Sequence, residues 1–371
     1  MHIQTIELQP ASPGQRTAIT ALHFGQPGHG PKAMIQAALH ADEVPAMLVA
    51  QKLRALLAEE EGAGRVAGEV VLVPYANPLG LAQTLLGQQL GRFNLRDGVN
   101  FNRHLAELGP AVEAALRGRL AGDEAAMVPQ VRQALREAAA ALTAPDAVAD
   151  LKNRLLQLAI DADIVLDLHC DGDAVMHLYA LTPQAAMAAE LGALLGAEAL
   201  LLATDSGDGP FDEACSKPWL HLQQALAPHP VPLACFSSTV ELRGELDTDH
   251  RLAGQDARAI VEFLRRRGVL TGTLAELPAP RCAPTPLAGS EPITAPRAGV
   301  VVFHQPVGAR VEAGTPIADV VCPHSGEVQT LLARSAGVLY ARSASRWAHA
   351  GKRLAKIAGT SLARTGRLLS P

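Results

Sequence analysis

The chain has 371 residues, 48% of them hydrophobic but only 3% aromatic, and its 32 Lys and Arg against 37 Asp and Glu leave a formal net charge of −5. That length supports one large domain plus a small one, with cores of Ala, Leu and Val that need no disulfide support. The acidic balance without a basic run argues against nucleic acid as the main partner, and five scattered cysteines without a C-x-x-C pair exclude a thiolate zinc cage and fit a reducing compartment. With neither a charged-then-apolar leader nor an apolar run long enough to span a bilayer, the sequence reads as a soluble, cytoplasmic protein without a membrane partner.

In chain order, KAMIQAAL (32–39) reads as a strand and residues 44–60 as a helix. EVVLVPYANP supplies a second buried strand, stopped by Pro78. Residues 105–160, rich in Ala, Leu, Glu and Arg at helical spacing, read as helices broken near Gly109-Pro110 and Ala144-Pro145. DIVLDLH is a third strand, CFSSTVELRG a fourth, and GQDARAIVEFLRRRGVL an amphipathic helix stopped by Gly268. Apolar runs alternating with helical stretches predict an α/β domain over residues 1–277. ELPAPRCAPTPLAGSEPITAP then carries six prolines in 21 residues, so 278–296 reads as a linker.

Beyond the linker, GVVVFHQPVGARVEAGTPIADVV from Gly299 and GVLYARSASRWAHAGKRLAKIAG from Gly337 share a glycine, a β-rich run, a turn, an Ala-Gly pair and a short strand. The near-repeat predicts a two-fold all-β unit over 297–359, with 360–371 as a tail. It resembles the barrel-sandwich of biotinyl and lipoyl carriers. The stretch between the halves, CPHSGEVQTLLARSAG, contains no lysine to modify, so a structural or substrate-shielding role is expected instead.

A catalytic zinc takes three protein ligands from His and Asp/Glu and keeps a position open. His40 and Glu43 supply two where the first strand passes into its helix. His169 is the candidate third, because it ends a predicted parallel strand and ligands of open α/β sheets collect at that edge. Asp167, two residues earlier on the same face, is placed to orient a ligand histidine. An H-x-x-E pair is common by chance, and a histidine at a strand end is more often satisfied by backbone, so the pieces gain weight only together. GRFNLRDGVNFNRH (91–104) adds three arginines and three asparagines around a glycine turn, suited to a carboxylate-bearing substrate. STVELRGELDTD puts Glu241 at a strand end, where a buried carboxylate needs a partner or a task.

These four segments together resemble the succinylglutamate desuccinylase and aspartoacylase family, relatives of the zinc carboxypeptidases. HADE matches the family's H-G-x-E, residues 92–103 its R-x-x-x-x-D-G-x-N-x-N-R pattern, DLH ends at His169, and Thr239 to Gly244 match T-x-E-x-x-G. The resemblance runs over most of residues 30–270. It implies a zinc-carboxypeptidase-like mixed sheet flanked by helices with a C-terminal β domain, and one Zn2+ per chain on His40, Glu43 and His169. It also implies substrate binding by Arg92, Asn102 and Arg103, and Glu241 as general acid/base. Arg96 competes with Arg92. Alanines replace the family's glycines at Ala38 and Ala41, and Arg243 stands where many relatives carry glycine, bringing an extra positive charge toward the pocket. None of Tyr75, Tyr179 and Tyr340 can be assigned to the scissile amide.

The implied reaction is hydrolysis of the amide of an N-acyl amino acid or similar small acidic substrate. Water acidified by zinc toward ~7 is the nucleophile, Glu241 carries the proton, Arg92 stabilises the oxyanion, and Asn102 with Arg103 holds a carboxylate. Two readings stand beside it: a zinc carboxypeptidase acting on peptides, and a catalytically silent metal- or ligand-binding module. The sequence leaves a homo-oligomeric state open.

Overall fold

The structure, a computed structural model, describes residues 1–361 and 363–369. A nine-stranded sheet forms its centre, in the order His2–Glu7, Ala18–Gly25, Glu69–Val73, Lys32–Ala37, Ile164–Asp171, Phe236–Gly244, Met176–Leu181, Ala199–Ala203 and Pro284–Pro286. Its middle is parallel, since Ile164–Asp171 runs with both Lys32–Ala37 and Phe236–Gly244, while Met176–Leu181 lies antiparallel to Phe236–Gly244. The sheet is therefore mixed, with helices on both faces.

Period-two alternation explains the layering. Met34, Val71 and Val165 face a core closed by the helices Gly109–Leu116, Glu124–Ala140, Ala147–Ala159 and Phe211–Ala225. Ile35, Leu72 and Leu166 face the opposite core, against Pro45–Gly62, Ala185–Leu195 and His250–Arg266. The four strands and the helices legible in the sequence all occur. The strands Ala18–Gly25, Met176–Leu181 and Ala199–Ala203 were not singled out, and they complete the sheet on either side of the parallel centre.

The C-terminal unit repeats one pattern twice. Gly299–Phe303, Arg310–Val311 and Pro316–Val321 correspond to Gly337–Arg342, Trp347–Ala348 and Arg353–Ala358. The halves interlock, because Arg310–Val311 pairs with Gly337–Arg342 and Trp347–Ala348 pairs with Gly299–Phe303. Within the proline-rich segment, Pro284–Pro286 joins the edge of the large sheet and Glu291–Thr294 joins the β unit. Proline tolerates an edge position because no partner there needs its missing N–H. Asp173–Ala174, just past the end of Ile164–Asp171, pairs with Gly337–Arg342 and ties the β unit to the central sheet. No helix among the described residues is long and apolar enough to cross a membrane.

Candidate metal centre and substrate pocket

The parallel centre of the sheet brings the chemistry to one edge. Ala37 pairs with Leu168, so the segment carrying His40 leaves the sheet beside the end of the strand carrying His169. On the other side Glu241 lies level with His169 and Thr239 with Asp167. All four side chains therefore share one face. The turn into the first helix passes through Ala38 at φ 59°, a left-handed conformation that disfavours any residue with a Cβ by roughly 1–2 kcal/mol. This alanine is one of the two that replace family glycines, and it is fully buried.

The ligand atoms of His40, Glu43 and His169 all lie within 4.8 Å of one another, and the three residues are buried. His40 Nδ1 stands 2.9 Å from Glu43 Oε1, and His169 Nδ1 stands 2.7 Å from Glu43 Oε2. The far side of each ring is fixed. His40 Nε2 donates to Asn100 Oδ1 at 2.8 Å, and His169 Nε2 donates to Asp167 Oδ2 at 2.8 Å. Asn100 Oδ1 also accepts the Asn102 backbone N–H, and Asp167 Oδ1 accepts from Gln36 Nε2. With Nε2 donating outward, each Nδ1 is the nitrogen turned toward Glu43, bare in His40 and open to a metal in His169 once its proton leaves, and such outer hydrogen bonds orient metal-binding imidazoles. The donor set of two imidazole nitrogens and one carboxylate fits zinc with a position left open.

The electrostatics agree with a site built for a cation. Burial, with the nearby Arg92 guanidinium, pushes His40 down to about 4, so its Nδ1 lone pair faces a carboxylate oxygen. Burial opposes ionisation of Glu43, yet the two histidines hold it well below the usual range. Burial likewise opposes a charge on His169, but Asp167 and Glu43 more than offset it and hold its pKa well above the ordinary value. Arg92 Nη1 lies 3.2 Å from His40 Nδ1 and 3.1 Å from Glu43 Oε1, placing a positive charge against the ligand atoms. Glu241 is pushed up to about 8 by burial and then by the Glu43 charge.

The remaining candidates separate. Arg92, Asn102 and Arg103 line a pocket of about 510 Å³ together with the three ligands and Glu241. Asn102 is also a strut: its Oδ1 accepts the Phe211 N–H and its Nδ2 faces Asp167 Oδ2 at 3.4 Å. Arg96 is exposed and does not line the pocket. Arg243 does not reach the pocket either, which corrects the charge expected there. It sits at φ 71° within a register shift in its strand, and it pairs with Asp256 on the helix His250–Arg266. Both non-glycine departures at Ala38 and Arg243 thus fall at left-handed positions. Of the three tyrosines only Tyr179 lines the pocket.

Sequence reading missed the residues that hold this arrangement from a distance. Asn100, the first asparagine of N-x-N-R, orients His40 rather than substrate. The C-terminal unit lines the pocket with residues 341–345 and 352–356; Lys356 contacts Asp171, and Arg342 Nε donates to Asp173 Oδ2 at 2.6 Å. Lys152 donates to the carbonyls of Asn100 and Arg103 at 3.0 and 2.7 Å, tying the arginine loop to the helix Ala147–Ala159.

Burial pushes Lys152 down to about 8 from an ordinary 10.5. Between those values the unfolded chain binds more protons, so this group makes stability rise with pH across that window. Lys152→Met is expected to abolish that rise in a pH series of melting curves. It also removes the two hydrogen bonds that the ammonium gives these carbonyls, which lowers stability by about 1–3 kcal/mol.

The family model for the succinylglutamate desuccinylase/aspartoacylase catalytic domain matches residues 29–266, more than half of the chain. Among solved structures, a succinylglutamate desuccinylase/aspartoacylase family protein from Shewanella amazonensis SB2B is 29% identical at a TM-score of 0.86, with 96% of this chain and 98% of that one covered. A protein from Shewanella frigidimarina NCIMB 400 assigned to the same name is 25% identical at 0.84, with 97% of each covered. The ectoine utilization protein EutE (DoeB) from Ruegeria pomeroyi shares the fold at 17% identity and 0.68, over 97% of this chain and 95% of that one. No curated protein matches the chain in sequence. The chain belongs to the succinylglutamate desuccinylase/aspartoacylase family.

Proposed function

We propose that the protein is a zinc-dependent amidohydrolase that removes the acyl group from an N-acyl amino acid or similar small acidic substrate. One observation carries the reading: two imidazole Nδ1 atoms and one carboxylate converge within 4.8 Å, with Glu241 level with His169 on the neighbouring strand. The family supports deacylation, and the free cysteines suit a reducing cytoplasm.

His40, Glu43 and His169 would hold one zinc ion per chain, which supplies Lewis-acid polarisation and a water acidified toward ~7. Glu241 accepts the proton of the attacking water at its carboxylate and delivers it to the leaving amine nitrogen. Its elevated pKa, set by burial and the Glu43 charge, suits the acid half of that cycle. Arg92 turns toward the developing oxyanion, and Arg103, held by its bond to the Asn102 carbonyl at 2.7 Å, meets a substrate carboxylate.

The test is a panel of N-acetyl, N-succinyl and N-formyl amino acids beside C-terminal dipeptides, run on protein of measured zinc content. Hydrolysis of acyl amino acids in proportion to zinc is the expected result. Exclusive cleavage of peptides would make the protein a carboxypeptidase, and inactivity on every member with zinc bound would remove the enzyme reading.

A further inference from the structure

The pocket continues well beyond the residues that the proposed chemistry requires. Tyr179 is level with Thr239, and Leu201 and Ala203 are level with Tyr179 and Leu181. Thr239 shares its sheet face with Asp167, His169 and Glu241. Side chains two apart on a strand, and level with one another across strands, share a face. One uninterrupted floor therefore runs from the metal ligands across three strand spacings to Leu201 and Ala203, roughly 14 Å at about 4.8 Å per step.

The character of this floor changes along its length. Around His169 it is Asp, Glu, His and Arg. At the far end the floor is Leu181, Leu201 and Ala203, and above it Leu287 and Leu369 line the pocket beside the stems of Arg353 and Lys356. Leu369 belongs to a tail pinned at several points. The Leu368 N–H donates to the Ser206 carbonyl at 2.9 Å, Arg367 Nε lies 3.1 Å from Asp208 Oδ1, and Arg364 donates to the carbonyls of Ser290 and Leu368 at 3.0 and 2.9 Å. Leu368 itself is buried against Leu201, Leu287 and Tyr340.

We infer that the pocket has an apolar arm, walled at its far end by Leu369, and that the substrate carries a hydrocarbon group of several carbons that fills it. This deepens the proposed deacylase reading and rests on it. A metal centre serving only short, charged acyl amino acids has no use for an apolar floor of this reach. The pocket volume of about 510 Å³ lies in the range of sites that enclose ligands of drug size, ~300–1,000 Å³. The hydrocarbon belongs either to the acyl group or to the amino acid side chain, and an assay separates them.

Two substrate series decide it, one lengthening the acyl group from acetyl to octanoyl on a fixed amino acid, the other enlarging the side chain under a fixed acetyl group. In one series kcat/KM should climb about fourfold per methylene until the arm is full. Ala203→Trp, which fills the arm, should flatten that series. Leu369→Ala should extend it to longer chains. A second readout needs no turnover: alkyl hydroxamic acids of increasing length, bound to zinc-loaded protein and followed by thermal shift, should show the same gain per methylene and its loss in Ala203→Trp. Hydrolysis confined to short acidic substrates, with flat hydroxamate binding, overturns the arm and leaves the deacylase reading intact. Length-dependent binding without hydrolysis of any panel member keeps the arm and overturns the deacylase reading. Flat binding and no hydrolysis overturn both.

Discussion

His169→Ala is expected to strip the protein of its metal ion and of hydrolytic activity together. Only His40 Nδ1 and the Glu43 carboxylate remain as ligands, and two donors do not hold a catalytic zinc that normally takes three. The loss should appear directly in metal analysis and as a lower melting temperature, because an ion bound only by the folded state stabilises it by mass action. Asp167→Asn gives the graded version of the same test. Asp167 is fully buried and accepts from both His169 and Gln36, so the amide disturbs ring orientation without removing a ligand, and metal affinity should fall ~10- to 100-fold. Full metal retention in His169→Ala would show that these residues form a buried ion-pair cluster and nothing more. His40→Ala should behave as His169→Ala does, since its Nδ1 approaches the same carboxylate from the other side.

Glu241→Gln is expected to lower the turnover number ~10²- to 10⁴-fold, the usual worth of a positioned acid/base, while metal content and substrate affinity stay near their original values. The side chain keeps its shape and loses only the titrating oxygen. Stability supplies a second, independent sign. In metal-free protein the Glu241 carboxyl is pushed from 4.5 to about 8, so the stability it contributes is complete below pH ~4.5 and is lost as pH rises through about 8. The glutamine variant escapes that loss, and its melting temperature should equal or exceed that of the parent across this window. A purely structural carboxylate predicts the reverse, a less stable variant whose activity falls only with its folded fraction. Arg243 cannot be the ion-pair partner such a role would need, because Asp256 already holds it. Wild-type turnover in a folded, metal-loaded Glu241→Gln would end the mechanism proposed here.

Much of this organisation is local and therefore legible in the sequence. Apolar runs of strand length, helical spacing from 105 to 160 and a repeated three-strand pattern depend on near neighbours, and the corresponding strands and helices are present. His40, Glu43 and His169 could be named together because each sits at or just past a strand end, and parallel strands deliver such ends to one edge. The strand Met176–Leu181 carries little polar alternation, which left it unnoticed although it supplies Tyr179 and the floor beyond Glu241.

What the sequence left undecided turns on contacts between distant segments. Nothing near Lys152 announces that its ammonium meets two carbonyls some 50 residues earlier. Asn100 and Asn102 look alike in the motif, yet backbone geometry gives one to His40 and the other to Phe211 and Asp167. Arg243 carries a charge toward the site on paper, but a positive φ and a register shift turn it onto Asp256. The C-terminal unit read as a shield becomes part of the pocket through Lys356 and Arg342. Pattern along the chain determined the elements, because burial imposes a period on each of them. Only the tertiary structure decided which polar group meets which, because a buried charge or hydrogen-bonding group is satisfied by whatever the fold brings within reach.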